Sequence, residues 1–368
     1  MAPDPSFSRL LTAAFLWIFV LAAQEPGWAE ERVEVVASHL EVPWALAHAP
    51  DGRLFVTERP GRIRVVRNGR LDPFPVATLD VLSTGESGLM GLAVAPDFPR
   101  VPYLYACYTG DEVGWFEGLL RYIRPARRVL LNRVVRLLLR DGRVAEERAV
   151  LVGIPGGVVH DGCRLKFGPD GKLYVTTGDA GQPGLAQRRD SLAGKVLRIN
   201  PDGSIPLDNP FPASPVYSFG HRNPQGLAWD ERGRLVASEH GPIGNDEINR
   251  ILPGKNYGWP EVQGRAGDNR YQDPMVDSKD DTWAPSGIAF RAGDLFVATL
   301  RGRRLLRVTP MPDLRSVSSV TPMLVGAYGR LRDVVLGPDG ALYITTSNRD
   351  GRGTPGDADD RILRLTLP

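Results

Sequence analysis

The sequence predicts an all-β fold, a six-bladed β-propeller, on three observations. A short phrase, a polar turn followed by an apolar strand, returns six times along the chain. Helical periodicity is nearly absent, and 41 glycines and 32 prolines cut the chain into short strands. Both ends of the repeating region read as strands, so the last can pair with the first and close a ring without a free edge.

The elements follow in order. Arg32-Val33-Glu34-Val35-Val36 is the first strand. The phrase Pro50-Asp51-Gly52-Arg53-Leu54-Phe55-Val56-Thr57 comes next: Asp-Gly supplies a tight turn, and the following residues favour a strand. A degenerate copy is Pro96-Asp97-Phe98, followed by Tyr103-Leu104-Tyr105-Ala106. Close copies begin at Pro169 and Pro338, and looser ones at Asp230 and Ala292. The copies lie 46 to 73 residues apart, the length of one propeller blade. Arg361–Leu367 is the closing strand. Residues 119–140 are apolar and basic. Pro125 interrupts any helix, and the alternation from Asn132 to Leu139 reads as a blade strand with a long hairpin rather than a membrane-binding face. Residues 348–360 are rich in Gly and Asp and read as a loop, without the fixed spacing of an EF-hand.

Residues 1–29 read as a secretory signal peptide: Arg9, an apolar run of 14 residues from Leu10 to Ala23, then Gly27-Trp28-Ala29. The run is short of the ~20 residues a membrane span needs, so no stable span is expected in the mature chain. The expected location is periplasmic or secreted, and residues 30–368 are expected to form one catalytic propeller domain. A net charge of +2 gives no reason to expect nucleic acid. Cys107 and Cys163 are the two cysteines. In an exported chain they are compatible with a disulfide, and equally with two buried free thiols.

Four clusters carry candidate chemistry. His160 stands in the glycine-rich run Gly156–Gly162, at a strand entrance and hence on one face of the propeller. Ser218–Gly226 packs His221, Arg222, Asn223 and Gln225 between glycines, donors suited to a planar, polyanionic, carbonyl-rich ligand. Glu239–Pro242, Asp246–Asn249 and Lys255–Pro260 bring together carboxylates and loop carbonyls, which suit a hard cation. Leu300–Arg304 and Arg330–Asp333 supply arginines; alternate positions on a strand share a face and would bind carboxylates. Zinc motifs of the CxxC or HExxH type are absent, as is a Rossmann fingerprint.

In their order, His160-x-Gly162-x-Arg164-Leu165, Gly194-Lys195, Arg222–Gly226, Glu239–Pro242, Asp246–Asn249, Gly254–Pro260 and Arg330-x-Arg332-Asp333 resemble the soluble PQQ-dependent sugar dehydrogenases, closest to the bacterial aldose sugar dehydrogenases. The resemblance spans about residues 33–367. It implies that His160 is the catalytic base, Asp179 the acid that orients it, and Arg222 the group beside the reactive quinone carbonyl. It further implies cofactor contacts from Glu86, Asn223, Arg301, Arg330 and Arg332. Calcium ligands are implied at the carbonyls of Gly241 and Pro242, and a second calcium at Glu247 and Tyr257. The implied reaction is oxidation of aldose sugars at the anomeric carbon to aldonolactones, with PQQ and Ca2+ as cofactors and an external electron acceptor. A calcium-dependent lactonase and a non-catalytic carbohydrate-binding propeller are the competing readings; neither needs the whole arginine set together with His160 and Asp179. The chain departs from the family pattern at Asp161 and Cys163 in the histidine loop, and over residues 110–131, where blade two is expected to be distorted. Asp161 is expected to raise the basicity of His160 should it lie close.

Overall fold

The computed structural model describes residues 31–111 and 130–368. After β1 (Arg32–Ala37), blade 1 comprises β2 (Pro43–His48), β3 (Leu54–Glu58), β4 (Arg62–Arg67) and β5 (Arg70–Leu71), with β6 (Ala77–Thr78) also paired to β4. Blade 2 comprises β7 (Leu89–Val94), β8 (Tyr103–Asp111), β9 (Leu130–Arg140) and β10 (Arg143–Pro155). Blade 3 comprises β11 (Gly162–Phe167), β12 (Leu173–Thr177), β13 (Lys195–Ile199) and β14 (Val216–Phe219). Blade 4 comprises β15 (Pro224–Trp229), β16 (Leu235–Glu239), β17 (Glu247–Arg250) and β18 (Val276–Asp277). Blade 5 comprises β19 (Pro285–Arg291), β20 (Asp294–Thr299), β21 (Leu305–Pro310) and β22 (Val317–Met323). Blade 6 takes β23 (Leu331–Leu336), β24 (Leu342–Thr346) and β25 (Ile362–Thr366), and is completed by β1 from the other end of the chain. The β1–β25 ladder runs from Arg32 opposite Thr366 to Ala37 opposite Ile362, which is the expected closure.

The repeated phrase is the hairpin between the first and second strands of a blade. The Ala49 amide donates to the Arg53 carbonyl, and the same bond recurs from Gly168 to Lys172, Asp230 to Arg234, and Gly337 to Ala341. Gly52, Gly171, Gly233 and Gly340 each sit at φ between 70° and 88°, a left-handed conformation this turn needs and glycine adopts freely. Of the strands that follow these turns, β3, β12 and β16 are buried along their whole length, and β24 everywhere but at Tyr343. Neighbouring blades cover both of their faces, so these strands read as continuous apolar runs rather than alternating ones.

Apolar packing passes from blade to blade around the ring. One large cluster joins blades 1, 2 and 3 through Phe55, Leu104, Leu137 and Val175. Others join blade 3 to 4, 4 to 5, 5 to 6, and 6 back to 1. The first strands β2, β7, β11, β15, β19 and β23 pack side by side around the axis.

Leu130–Arg140 is the third strand of blade 2, with Val134, Leu137 and Leu139 buried, as its alternation predicts. The rest of the 119–140 stretch and the 1–29 segment lie outside the described residues. Among the described residues, no helix is long and apolar enough to cross a membrane.

This topology positions the site. Every turn carrying the repeated phrase lies at one end of the axis. The segments entering the first strands, and the loops after the second strands, therefore lie at the other end. Glu86, His160, Arg222 and Arg330 precede first strands; Asp179, His240–Pro242 and Arg301 follow second strands. Strand parity alone gathers them at one mouth.

Candidate active site

Gly162 of β11 pairs with Thr177 of β12, so the residues just beyond, His160 and Asp179, meet across the hairpin. His160 Nδ1 lies 2.7 Å from Asp179 Oδ1. A carboxylate only accepts, so Nδ1 carries the proton and Nε2 is left with its lone pair. Asp179 is fully buried and also accepts from the Gly181 amide (2.8 Å) and the Trp259 indole N–H (2.8 Å). The loop fits tightly: a Cβ added to Gly178 would lie 1.7 Å from the His160 carbonyl oxygen.

Glu86 Oε2 accepts from the His160 backbone amide at 3.0 Å, and its Oε1 is held by Arg352 at 2.7 Å. Burial opposes ionisation of Glu86, but the hydrogen bond from the His160 amide and the Arg352 guanidinium outweigh it and bring its pKa down to about 2. Glu86 therefore stays an acceptor at physiological pH.

Arg222 packs its guanidinium 5.4 Å from the Trp259 ring centre and reaches the His240 carbonyl at 3.3 Å. Its backbone amide is held by Glu239, which also binds the fully buried His221 at 2.8 Å. His221 stacks on Tyr257, with ring centres 4.5 Å apart. His221 is thus a brace for the turn that presents Arg222 and Asn223. Asn223 Oδ1 accepts from the Gly162 amide at 3.1 Å, tying blade 4 to the histidine loop. Lys195 is a second brace: fully buried, it donates to the carbonyls of Leu185, Ala186 and Ala193. That anchors the short 3-10 helix Pro183–Gln187, and Gln187 in turn holds Asn256 and the Trp259 carbonyl.

Arg330 binds Asp350 through Nε and Nη2 at 2.9 and 2.8 Å. Arg332 donates to Gln225 Oε1 at 2.7 Å. Burial, opposed by Asp350 but reinforced by Arg330, brings the Arg332 pKa down to about 9, so this cation lacks counter-charge. Arg301 stands in the bend after β20, exposed, and not on a strand with Arg303 and Arg304. Among the buried groups left without a partner are the donors Arg222 Nε, Asn223 Nδ2 and Arg332 Nε, together with the ring nitrogen His240 Nε2. Such orphans are costly and call for a ligand rich in acceptors. A flat, multiply carboxylated quinone such as PQQ fits that donor set.

The cation positions are mixed. Glu247 is half-buried, and burial beside Glu239 raises its pKa to about 8; its oxygens accept only from Asn249 and the Gly264 amide. A cation would relieve that repulsion. Gly241 is packed against the carbonyl oxygens of Gly244 and Asn245, which would lie 1.9 and 2.6 Å from an added Cβ, so only glycine fits in this loop. The Tyr257 phenol, in contrast, is committed to the Arg250 carbonyl (2.6 Å) and the Leu252 amide (2.9 Å), leaving its backbone carbonyl as the available donor. Among the described residues, no group of three or more His, Cys, Asp or Glu side chains is placed to hold a metal.

Three features depart from or complete the sequence reading. Asp161 does not turn toward the His160 ring; its Oδ1 accepts from Asn132 (2.9 Å) and the Gly157 amide (3.0 Å). Cys107 and Cys163 form a disulfide. Trp259, Asp350 and Arg352 hold Asp179, Arg330 and Glu86, contacts that the sequence motifs do not assign. The Trp259 motif was visible; an unassigned carboxylate in an Asp-rich loop opposite orphan arginines was the signal for Asp350. A cavity of about 420 Å3 opens at the other end of the axis and is lined by the buried Arg164–Asp333 ion pair among mostly apolar residues. Among the described residues, no acid–base pair like His160–Asp179 lines it.

The Glucose / Sorbosone dehydrogenase family profile matches residues 40–363. Aldose sugar dehydrogenase YliI of Escherichia coli (strain K12) is 32% identical over 92% of this chain and 96% of its own. A crystal structure from Thermus thermophilus, described as an oxidoreductase (glucose dehydrogenase), shares 50% identity with a TM-score of 0.84, over 92% of this chain and 100% of that one. The PQQ-bound aldose sugar dehydrogenase of Streptomyces coelicolor shares 41% identity with a TM-score of 0.81, over 92% and 98%.

Proposed function

The chain belongs to the glucose/sorbosone dehydrogenase family, and from that premise we propose that it oxidises aldose sugars at the anomeric carbon to aldonolactones, using PQQ and Ca2+ and passing electrons to an external acceptor. It is a sugar dehydrogenase of the quinoprotein type. The observation that carries the finer reading is one mouth holding both the His160–Asp179 pair and the orphaned donors of Arg222, Asn223 and Arg332.

When bound, PQQ supplies a two-electron acceptor for hydride from the sugar, with Ca2+ polarising it. His160 Nε2 takes the proton from the C1 hydroxyl, while Asp179 holds the ring in the tautomer that leaves Nε2 free. Trp259 and Gly181 fix Asp179 in turn. Arg222 stabilises negative charge developing on the acceptor side. Arg330 and Arg332 hold carboxylates, Asn223 Nδ2 donates to a carbonyl, and Glu86 positions the histidine loop; Arg301 contributes from the rim. Carbonyls of Gly241 and Pro242 would hold the calcium beside the cofactor, and Glu247 with the Tyr257 carbonyl would hold a second, structural one. Residues 1–29 serve as the export signal and residues 30–368 form the catalytic propeller, placing the enzyme in the periplasm or outside the cell.

The test is dye-linked aldose oxidation by purified apoprotein, with PQQ and calcium added separately and together. Activity only with both, lost in His160→Ala, supports the reading. No activity across a broad aldose panel, with no quinone absorbance retained, overturns it and brings lactone hydrolysis forward.

A further inference from the structure

We infer that the Cys107–Cys163 disulfide is a positioning device for His160, holding the histidine loop in a backbone conformation that its own residues do not favour. This rests on His160 as the base. The bond joins the second strand of blade 2 to the first strand of blade 3, with 5.7 Å between the Cα atoms. Cys163 stands three residues after His160. His160, Gly162 and Cys163 all lie in the left-handed region, at φ of 61°, 64° and 64°. Glycine adopts that region freely, whereas histidine and cysteine do so at a cost. The β11–β12 register breaks between Gly162 and Leu165, so Cys163 stands at the irregularity and the regular ladder does not hold it.

The loop is pressed against its neighbours on both sides. The Cys163 carbonyl oxygen lies 2.0 Å from where a Cβ on Gly91 would stand, and the His160 carbonyl oxygen 1.7 Å from one on Gly178. Backbone approach this close leaves little room for the loop to shift without moving the His160 ring away from Asp179. The Cys163 side chain provides the covalent tie from this bulge to blade 2. Both cysteines are fully buried, so reductants do not reach the bond from the native surface. The bond therefore acts as a permanent clamp rather than a redox switch.

The experiment compares Cys107→Ala/Cys163→Ala with Cys107→Ala/Cys163→Gly. Both lose the cross-link, so both lose Tm. Only the second regains a residue at home at φ 64°. The alanine pair is expected to lose about tenfold to a hundredfold in kcat, the scale of a small misplacement of the base, with sugar KM and PQQ retention unchanged. The glycine pair is expected to keep the wild-type kcat. In the apoprotein, hydrogen exchange of the amides from 158 to 164 is expected to quicken about tenfold in the alanine pair and not in the glycine pair. Equal kcat and equal exchange in the two variants would overturn the clamp, leaving the bond a general staple. Should the wild type oxidise no aldose, the proposed function fails, and the exchange comparison alone still decides the clamp.

Discussion

Trp259 donates its indole N–H to Asp179 Oδ2 at 2.8 Å, while Oδ1 of the same carboxylate holds His160 at 2.7 Å. A side chain from the loop after blade 4's third strand thus fixes the acid that orients a base in blade 3. Hydrogen bonds to an ionised, buried carboxylate are among the stronger ones, each contributing about 1.5–3 kcal/mol. Trp259→Phe keeps the ring but removes the donor. It should lower kcat about tenfold to a hundredfold and leave sugar KM nearly unchanged, as steady-state kinetics would read. Asp179→Asn should cost more, because it also removes the charge that selects the His160 tautomer.

Arg332 is buried with its Nε unpartnered and too little counter-charge around it. An anionic cofactor would satisfy both. Arg332→Gln should raise the PQQ dissociation constant about tenfold to a hundredfold, the worth of one charged hydrogen bond. Titration of apoprotein by fluorescence quenching measures it. Equal affinity in the variant would remove Arg332 from the cofactor site.

Asp161 is almost fully buried, and that burial raises its pKa to about 7 against the hydrogen bonds from Asn132 and Gly157. Below about pH 4 the group is protonated in both folded and unfolded chains. Between about pH 4 and 7 the unfolded chain ionises while the folded one is held neutral, so stability falls across that window and levels off above it. Asp161→Asn keeps an acceptor for both donors and removes the titration. Its urea midpoint should lose this downward trend, and at pH 8 it should exceed the wild type by about 2–4 kcal/mol of stability. Parallel pH dependences would sink the assignment.

Gly178 carries no side chain because the His160 carbonyl occupies that space. Gly178→Ala should displace the histidine loop, lowering Tm by several degrees, about 1–3 kcal/mol, and kcat by at least about tenfold. Differential scanning calorimetry and kinetics check the pair of effects. Gly52→Ala is a control: nothing crowds that position, so its cost comes from the left-handed φ alone and kcat should hold.

The six hairpin phrases were legible because local chemistry dictates them. Asp-Gly or a lone Gly closes most of these turns in a left-handed conformation, and the middle of a strand covered on both faces is apolar. Blade number, strand order within a blade and closure through β1 and β25 follow from such short-range rules. His160, Asp179 and the arginines were legible as residue types in a recognisable order. The sequence alone thus determined the architecture and the family, and named the residues that the proposed site uses. Only the tertiary structure decided that Asp350 and Trp259 hold Arg330 and Asp179, that Asp161 turns to Asn132, and that Cys107 and Cys163 bond. Each of those is a contact between blades or between loops far apart in the chain. Such contacts depend on ring closure and on the few ångströms separating neighbouring loops, and no local propensity encodes them.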